Sequence, residues 1–207
     1  MAGGGGLVWA IPSGIRCRRC GSAAVCPKKT GFDVRKSDVR RSAILDRLAD
    51  YMLAEGLVAS SLRPLARAAQ TSDRMLLYYF KDKAEIIAAT LERISERLVQ
   101  LLNAKTTSQP LPLDDLVAEL AEILLGDDLW PYMRLWLEIA SLSARNDPFY
   151  RQVGERIGRG FLAWGAAQLD SATPEAREAE AASLLVRIEG LVLLKSIGME
   201  DVCRNTL

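Results

Sequence analysis

Apolar residues recur with the period of an α-helix along most of the chain from about residue 38 onward. Ile44, Leu45, Leu48 and Met52 share one helical face, and Gly56 has the position just past the end of that helix. A longer apolar face runs to about residue 104 and consists of Ile86, Ile87, Leu91, Ile94, Leu98, Leu101 and Leu102. No segment alternates with the period of a β-strand, so the pattern predicts an all-α fold.

Polar residues that can accept hydrogen bonds from a first helical turn, and prolines, mark the helix ends. We predict helices over residues 62–69, 73–79, 83–104, 113–125, 129–144, 148–169 and 174–197. The predicted N-caps, including that of the first helix, are Asp38, Ser61, Ser72, Asp82, Asp128, Asp147 and Thr173. Glu85 follows Asp82 by three residues, which is the spacing of a capping box. Residues 105–112 are polar and contain prolines, so they form the predicted linker between two functional parts.

Residues 61–83 predict two short helices that are joined by a turn of three residues, 70–72. A longer helix flanks them on each side. This arrangement is typical of a helix-turn-helix, whose second helix enters the major groove of DNA while the first crosses the backbone. Arg74, Tyr78 and Tyr79 are large for exposed positions on so short a helix, which favours DNA binding through residues 73–79.

The same segment resembles the TetR family of bacterial transcriptional regulators. The positions that match the family's pattern are Ser61, Leu65, Ala66, Arg67, Ala68, Ala69, Ser72, Tyr78, Tyr79, Phe80 and Lys83. Gln70 departs from it by replacing the usual turn glycine, so the turn needs either a positive φ at Gln70 or another shape. Leu77 stands where many members have their first tyrosine. Weaker resemblance at residues 146–150 and 188–191 extends the match to roughly residues 38–200.

The resemblance implies a set of residues that contact DNA. Ser61, Tyr79 and Lys83 would contact phosphates, and Arg74 is the candidate for reading guanine, because its planar fork matches O6 and N7 together. The full set is Arg40, Arg41, Ser61, Arg63, Ser72, Asp73, Arg74, Tyr78, Tyr79 and Lys83. The alternative for Arg74 and Lys83 is a solvated surface charge. Phe80 is expected in the core, and Tyr79 either in the core or on a phosphate.

The part of the chain after residue 105 would hold the site for a small-molecule effector. Ligand pockets are mostly apolar with few polar groups, and large apolar side chains are frequent here. The candidate pocket residues are Leu102, Trp130, Met133, Arg134, Trp136, Leu137, Phe149, Phe161 and Trp164. Arg134, Glu138 and Ser141 are candidates for orienting a ligand. The alternative for each of these residues is ordinary core packing.

We therefore expect three regions. Residues 1–37 are a basic extension that is either flexible or the product of a misassigned start. A helix-turn-helix domain follows over residues 38–84, and a helical effector-binding and dimerisation domain over residues 85–207. The resemblance implies a homodimer through residues 148–170 and 174–198. Gly158, Gly160, Gly165, Ala166 and Ala167 are small enough there for close helix approach. A dimer would present two recognition helices to a palindromic operator. The expected function is repression that the effector relieves.

The formal net charge of +1 conceals an asymmetry. Residues 1–42 contain nine Lys/Arg and two Asp/Glu, a balance of 9 − 2 = +7, whereas the remainder contains eighteen and twenty-four, a balance of 18 − 24 = −6. A basic front on an acidic body suits an anionic partner at one end, although an unstructured basic tail would look the same.

The composition offers little to catalysis. The absence of histidine excludes imidazole-based triads and histidine metal ligands. Cys17, Cys20 and Cys26 lie far from Cys203 in sequence, so we expect no zinc site, and neither a metal nor a cofactor is predicted. No apolar run is long enough for a membrane span, and we expect a cytoplasmic protein rather than an enzyme. The alternative function is a helical protein-interaction module without DNA binding.

Overall fold

The computed structural model describes the backbone of residues 31–205 and the side chains of residues 37–205. The chain divides into two units, Met1–Ser37 and Asp38–Leu207, and the second contains all the sites discussed below. Most of the expected basic extension, with Cys17, Cys20 and Cys26, lies outside the described residues.

Helices account for nearly all of the regular structure in residues 31–205, which confirms the predicted all-α fold for this part of the chain. The helices are α1 (Gly31–Glu55), α2 (Leu62–Ala68), α3 (Asp73–Tyr79), α4 (Lys83–Lys105), α5 (Leu113–Leu124), α6 (Trp130–Ala144), α7 (Pro148–Gln168), α8 (Pro174–Ser196) and α9 (Glu200–Asn205). The short α9 is not predicted by the sequence pattern. A parallel bridge joins Leu111 to Leu169 between the linker and the end of α7.

Four of the predicted N-caps are confirmed by a side-chain hydrogen bond. Ser72 accepts from the backbone N–H of Met75 at 3.3 Å, and Asp82 accepts from that of Glu85 at 2.8 Å. The other two caps bind the first turns of α7 and α8: Asp147 accepts at 2.9 Å, and Thr173 accepts at 3.1 Å. These bonds satisfy donors that have no partner inside the helix.

Two predicted caps are wrong, and a third is incomplete. Asp38 lies inside α1, because the helix begins at Gly31. The N-cap of α6 is Leu129, and the Asp128 carboxylate instead lies 3.3 Å from Lys105 Nζ. Ser61 occupies the N-cap of α2, but its side chain makes no capping hydrogen bond.

The buried side chains form two main clusters that share α4 and α6. The first contains Leu48 of α1, Leu65 of α2, Leu76 of α3 and Ile86 of α4, and it includes Leu135 and Ile139 of α6. The second gathers α5, α7 and α8 around Leu98 and Leu102 of α4 and Met133 of α6. Phe80 is 2% exposed within the first cluster, which confirms its prediction as core. Because α4 and α6 belong to both clusters, they connect the helix-turn-helix to the rest of the fold.

Charged residues fasten α4 to α1 on the outside of the first cluster. Arg97 places its two terminal nitrogens 2.7 Å from Asp50 Oδ1 and 2.8 Å from Asp46 Oδ1. One turn earlier, Arg93 donates to Asp46 Oδ1 at 3.1 Å and to Ser42 Oγ at 3.0 Å. Guanidinium groups shared between two carboxylates hold geometry better than isolated surface pairs.

Candidate DNA-binding surface and effector cavity

The turn between α2 and α3 closes without a glycine. Gln70 takes a φ of +53°, a positive value that glycine adopts more readily than other residues. The backbone N–H of Thr71 donates to the carbonyl oxygen of Ala66 at 2.9 Å. Arg47 of α1 donates to the carbonyl oxygen of Ala69 at 3.0 Å, so α1 also holds the turn in place. Sequence analysis missed this role of Arg47, since its partner is 22 residues away.

Helix α3 has a buried face and an exposed face. Leu76 is completely buried in the first cluster and anchors the helix. On the opposite face, Arg74 is exposed, with Leu77 46% exposed and Tyr78 64% exposed. Residues 74, 77 and 78 share one side of the helix because they are three and four positions apart. This exposed triplet is what α3 offers to a partner.

The predicted DNA contacts divide by exposure. Seven have exposed side chains: Arg40, Ser61, Arg63, Ser72, Arg74, Tyr78 and Lys83. Arg41, Asp73 and Tyr79 are partly buried. Arg41 lies 3.3 Å from Glu85 and stacks over the Phe80 ring at 4.6 Å, which brings α1 to the start of α4. Tyr79 packs partly on the first cluster and meets the Tyr78 ring edge-on at 5.1 Å.

Two exposed cations next to these residues are absent from the predicted set of DNA contacts. Arg67 lies in the last turn of α2, and Lys81 lies between α3 and α4. The sequence indicates them only through their closeness to predicted DNA contacts, as Lys81 is two residues from Lys83.

A cavity among α4, α5, α6, α7 and α8 contains about 850 Å³ of space between atoms, including its open mouth. Five of the predicted pocket residues line it: Leu102, Met133, Trp136, Phe161 and Trp164. The other four lie elsewhere. Trp130 packs under Lys195 at 4.5 Å, Phe149 packs on the first cluster, and Leu137 packs on the second. Arg134 reaches α1, as described below.

Glu189 of α8 brings a carboxylate to this apolar cavity, and sequence analysis missed it. Its Oε2 accepts a hydrogen bond from Trp136 Nε1 at 2.7 Å. Burial raises the pKa of Glu189 above its ordinary value, and the hydrogen bond from Trp136 partly opposes that rise. The sequence feature that could have indicated Glu189 is an acidic residue in an otherwise apolar stretch, between Ile188 and Leu191.

Tyr132 adds a second polar group to the cavity wall. Burial raises the pKa of its phenol, and the nearby Arg97 partly opposes the rise. The group therefore stays a neutral hydroxyl at physiological pH. The cavity is lined by aromatic and aliphatic side chains with a few polar groups, which is the composition of a ligand site.

Two charged residues expected to orient a ligand hold the end of α1 instead. Arg134 Nη2 donates to the carbonyl oxygens of Leu53 and Ala54 at 2.9 and 3.0 Å. Glu138 Oε2 accepts from the backbone N–H of Leu57 at 2.7 Å. The two acceptors lie just before Gly56 and the donor Leu57 follows it directly; the φ of +77° at Gly56 ends the helix as predicted. We call this set of contacts the α6–α1 junction. Ser141 is exposed and does not line the cavity.

The outer face of α8 carries an apolar stripe. Val186 is 71% exposed, Leu193 53% and Ile197 62%, and their spacing places them on one side of the helix with Gly190. A Cβ added to Gly190 or to Gly160 of α7 would meet no atom within 4 Å. Gly165 differs, because a Cβ there would lie 2.9 Å from Leu184 Cδ2, so its smallness serves α7–α8 packing within one chain.

Within residues 37–205, no group of three or more His, Cys, Asp or Glu side chains is arranged to hold a metal ion. None of the described helices is both long and apolar enough to cross a membrane.

Comparison with known proteins finds similar regulators. No family model matches the chain. It is 28% identical over 171 residues to the HTH-type transcriptional regulator BetI of Burkholderia mallei (strain NCTC 10229), covering 80% of this chain and 86% of that protein. A transcriptional regulator from Rhodococcus sp. Rha1 superposes with a TM-score of 0.59 at 22% identity, over 78% of this chain and 86% of the other. A protein described as a TetR-family transcriptional regulator from Rhodococcus sp. gives 0.59 at 19% identity, over 79% and 92%.

Proposed function

We propose that this chain, which has the all-α fold of TetR-type transcriptional regulators, is a sequence-specific DNA-binding repressor that a small-molecule effector releases from its operator. The observation that supports the proposal best is α3. Leu76 anchors this helix in the core, while Arg74, Leu77 and Tyr78 project from its free face. A helix held on one side and bearing polar and aromatic side chains on the other can enter the major groove.

Positive groups surround this helix and suit the DNA backbone. Arg63 and Arg67 are exposed on α2, and Lys81 and Lys83 are exposed beside the start of α4. Arg41 is partly neutralised by Glu85, so its phosphate contact would be weaker than that of Arg40. Contacts of this kind set affinity and register, whereas base contacts from α3 set sequence preference.

Helix α6 is the proposed connection between effector and DNA. One of its faces supplies Met133 and Trp136 to the cavity wall, and another supplies Arg134 and Glu138 to the α6–α1 junction. A ligand that prefers a different position of Trp136 would move α6 and, with it, the end of α1. The ligand can shift DNA affinity only by the difference between its affinities for the two arrangements.

A homodimer through α7 and α8 completes the proposal. The stripe of Val186, Leu193 and Ile197, with open space at Gly190, suits a second copy of the same helices. Apolar surface of this kind is stabilised when it is covered. Two recognition helices would then read half-sites one turn, about 34–36 Å, apart. The regulator would act in the cytoplasm, and no catalysis is part of the proposal.

The direct test is selection of bound duplexes from a random library, followed by titration at two salt concentrations. We expect a palindromic site whose affinity falls steeply with salt. Arg74→Ala should weaken binding to that site by about 1–3 kcal/mol and relax preference at one base pair, whereas Lys83→Ala should weaken all sequences alike and lower the salt slope by about one.

Arg145→Ala is the matched control, because it removes an exposed arginine at the end of α6, outside the helix-turn-helix. Failure to select any duplex, or equal effects of Arg74→Ala and Arg145→Ala, would refute DNA recognition by α3. A folded protein without DNA affinity would instead be a helical interaction module.

A further inference from the structure

The cavity wall is almost entirely uncharged. Within the part of the chain that the structure describes, Glu189 is the one charged residue that lines it. Tyr132 and Ser95 supply hydroxyls, but the Ser95 hydroxyl already donates to the carbonyl oxygen of Leu91 at 2.9 Å. The remaining lining is aliphatic or aromatic, including Trp136 and Trp164. The electrostatic character of the cavity is therefore set by one carboxylate.

One oxygen of the Glu189 carboxylate has a hydrogen-bond partner, and the other has none among the described residues. Its Oε2 is fixed by the indole N–H of Trp136. No hydrogen bond to Oε1 and no salt bridge to either oxygen joins Glu189 to another described residue. The cavity thus presents an oriented acceptor without a counter-charge.

An anion in apolar surroundings has a large desolvation penalty unless a cation or hydrogen bonds compensate it. Most residues at such positions are apolar, so a carboxylate here needs a reason. Packing does not supply one, since Glu189 is only partly buried and faces open space. A cationic ligand would compensate the charge, and its electrostatic attraction to Glu189 would be stronger in this apolar cavity than in water.

The rings around the carboxylate favour the same kind of ligand. Tyr132, Trp136, Phe161 and Trp164 all line the cavity. The face of an aromatic ring attracts a cation, most strongly for Trp and when the cation is desolvated. The indole N–H of Trp164 is already bonded to Asn103 Oδ1 at 2.8 Å, so this ring offers its apolar surface rather than a donor.

We propose that the effector is an organic monocation, an amine or quaternary ammonium ion with an apolar body, whose charge is paired with the Glu189 carboxylate. This inference rests on the proposed effector role of the cavity. It also gives a route to α6, because the cation would pair with the same carboxylate that Trp136 of α6 binds. Anionic ligands are disfavoured by Glu189, and neutral ones leave its charge uncompensated.

The test uses two shape-matched pairs of probes on the full chain without DNA. The small pair is phenyltrimethylammonium and its uncharged isostere tert-butylbenzene, and the large pair is tetraphenylphosphonium and the anion tetraphenylborate. Binding is followed by tryptophan fluorescence, because Trp136 and Trp164 line the cavity, and by calorimetry. We expect at least one cation to bind about tenfold or more tightly than its partner.

Glu189→Gln keeps the size and the acceptor for Trp136 but removes the charge. It should abolish the preference for the cation while leaving affinity for tert-butylbenzene within about twofold of the original protein. Glu178→Gln, an exposed position on the same helix outside the cavity, should change neither. Helical content and thermal unfolding verify that both variants are folded.

Equal or tighter binding of the uncharged or anionic partners overturns the proposal. So does a cation preference that survives Glu189→Gln, or the failure of both cations to bind. Because no DNA is present, these outcomes are independent of whether the chain recognises an operator. Conversely, failure of the DNA selection leaves the ligand measurement valid.

Discussion

At the scale of single residues, Gln70 shows a conflict between local preference and the fold. The turn between α2 and α3 requires a positive φ, and Gln70 adopts +53°. Left-handed backbone costs an L-residue roughly 1–2 kcal/mol, which glycine avoids. The turn persists because Arg47 and the backbone bond of Thr71 hold it from both sides. The surrounding contacts therefore hold the backbone of Gln70 in a conformation that glutamine disfavours.

Gln70→Gly should raise the free energy of unfolding by about 0.5–1 kcal/mol, since relief of the left-handed strain exceeds the greater flexibility that glycine adds to the unfolded chain. Denaturant titration measures the change. The matched control is Gln100→Gly, on an exposed position inside α4, which should lower the free energy of unfolding by about 1 kcal/mol. If both variants are destabilised alike, residue 70 is not strained.

Glu189 should make stability depend on pH in the direction opposite to a salt-bridged acid. Burial raises its pKa in the folded state, so the folded protein binds this proton more tightly than the unfolded chain does. The contribution is fully favourable below the ordinary pKa and is lost as pH rises through the folded value. Glu189→Gln should therefore gain stability relative to the original protein as pH increases from about 4.5 to neutral, as denaturation of both at several pH values would reveal.

An unchanged difference across that range would mean that Glu189 titrates as it does in the unfolded chain. Glu178→Gln supplies the baseline, because its carboxylate is exposed on the same helix.

At the scale of elements, the fold depends on how each helix begins and on what fixes its end. Ser72, Asp82, Asp147 and Thr173 reach donors no more than three residues away, so the sequence alone identifies them. By contrast, Lys105 lies 23 residues from Asp128, and Arg134 lies about 80 residues from its acceptors on α1. A pattern of neighbours cannot specify such pairs. The sequence predicted Trp136, Phe161 and Trp164 in the cavity wall because large apolar residues are typical of such a wall, whereas Glu189, which pairs with Trp136 across 53 positions, was missed.

The stability of the α6–α1 junction should depend on the hydrogen-bond acceptor that Glu138 supplies and not on its negative charge. Glu138→Leu leaves the N–H of Leu57 without its partner and should cost about 1–3 kcal/mol of unfolding free energy. Glu138→Gln keeps an acceptor oxygen and should retain most of the stability. Chemical denaturation of both variants separates the two roles.

The same pair of variants bears on DNA affinity. If the junction sets the position of α1, Glu138→Leu should weaken operator binding more than Glu138→Gln does. Equal results for the two variants in both measurements would show that the contact between Glu138 and Leu57 neither stabilises the fold nor affects DNA binding.

At the scale of the whole molecule, the apolar stripe on α8 is exposed and is not covered by any other part of residues 37–205. Leu193→Asp places a charge at its centre and should shift a dimer to monomers, because an interface core does not tolerate an unpaired charge. Sedimentation measures the state, and DNA affinity should fall with it. Val58→Asp, the same kind of change at a 97% exposed position between α1 and α2, should leave the dimer intact. A dimer that survives Leu193→Asp would place the interface elsewhere.

The fastening of α4 to α1 by Arg93 and Arg97 has a geometric consequence. These ion pairs tie the two helices to each other, so a rotation of α4 as a lever would carry α1 with it. Its 23 residues span about 34 Å. A tilt of about 6° around one end carries the other end through about 3.5 Å, close to the rise of one base pair. With two such levers related by the proposed twofold axis, a rotation of this size would put the paired helices out of step with the grooves.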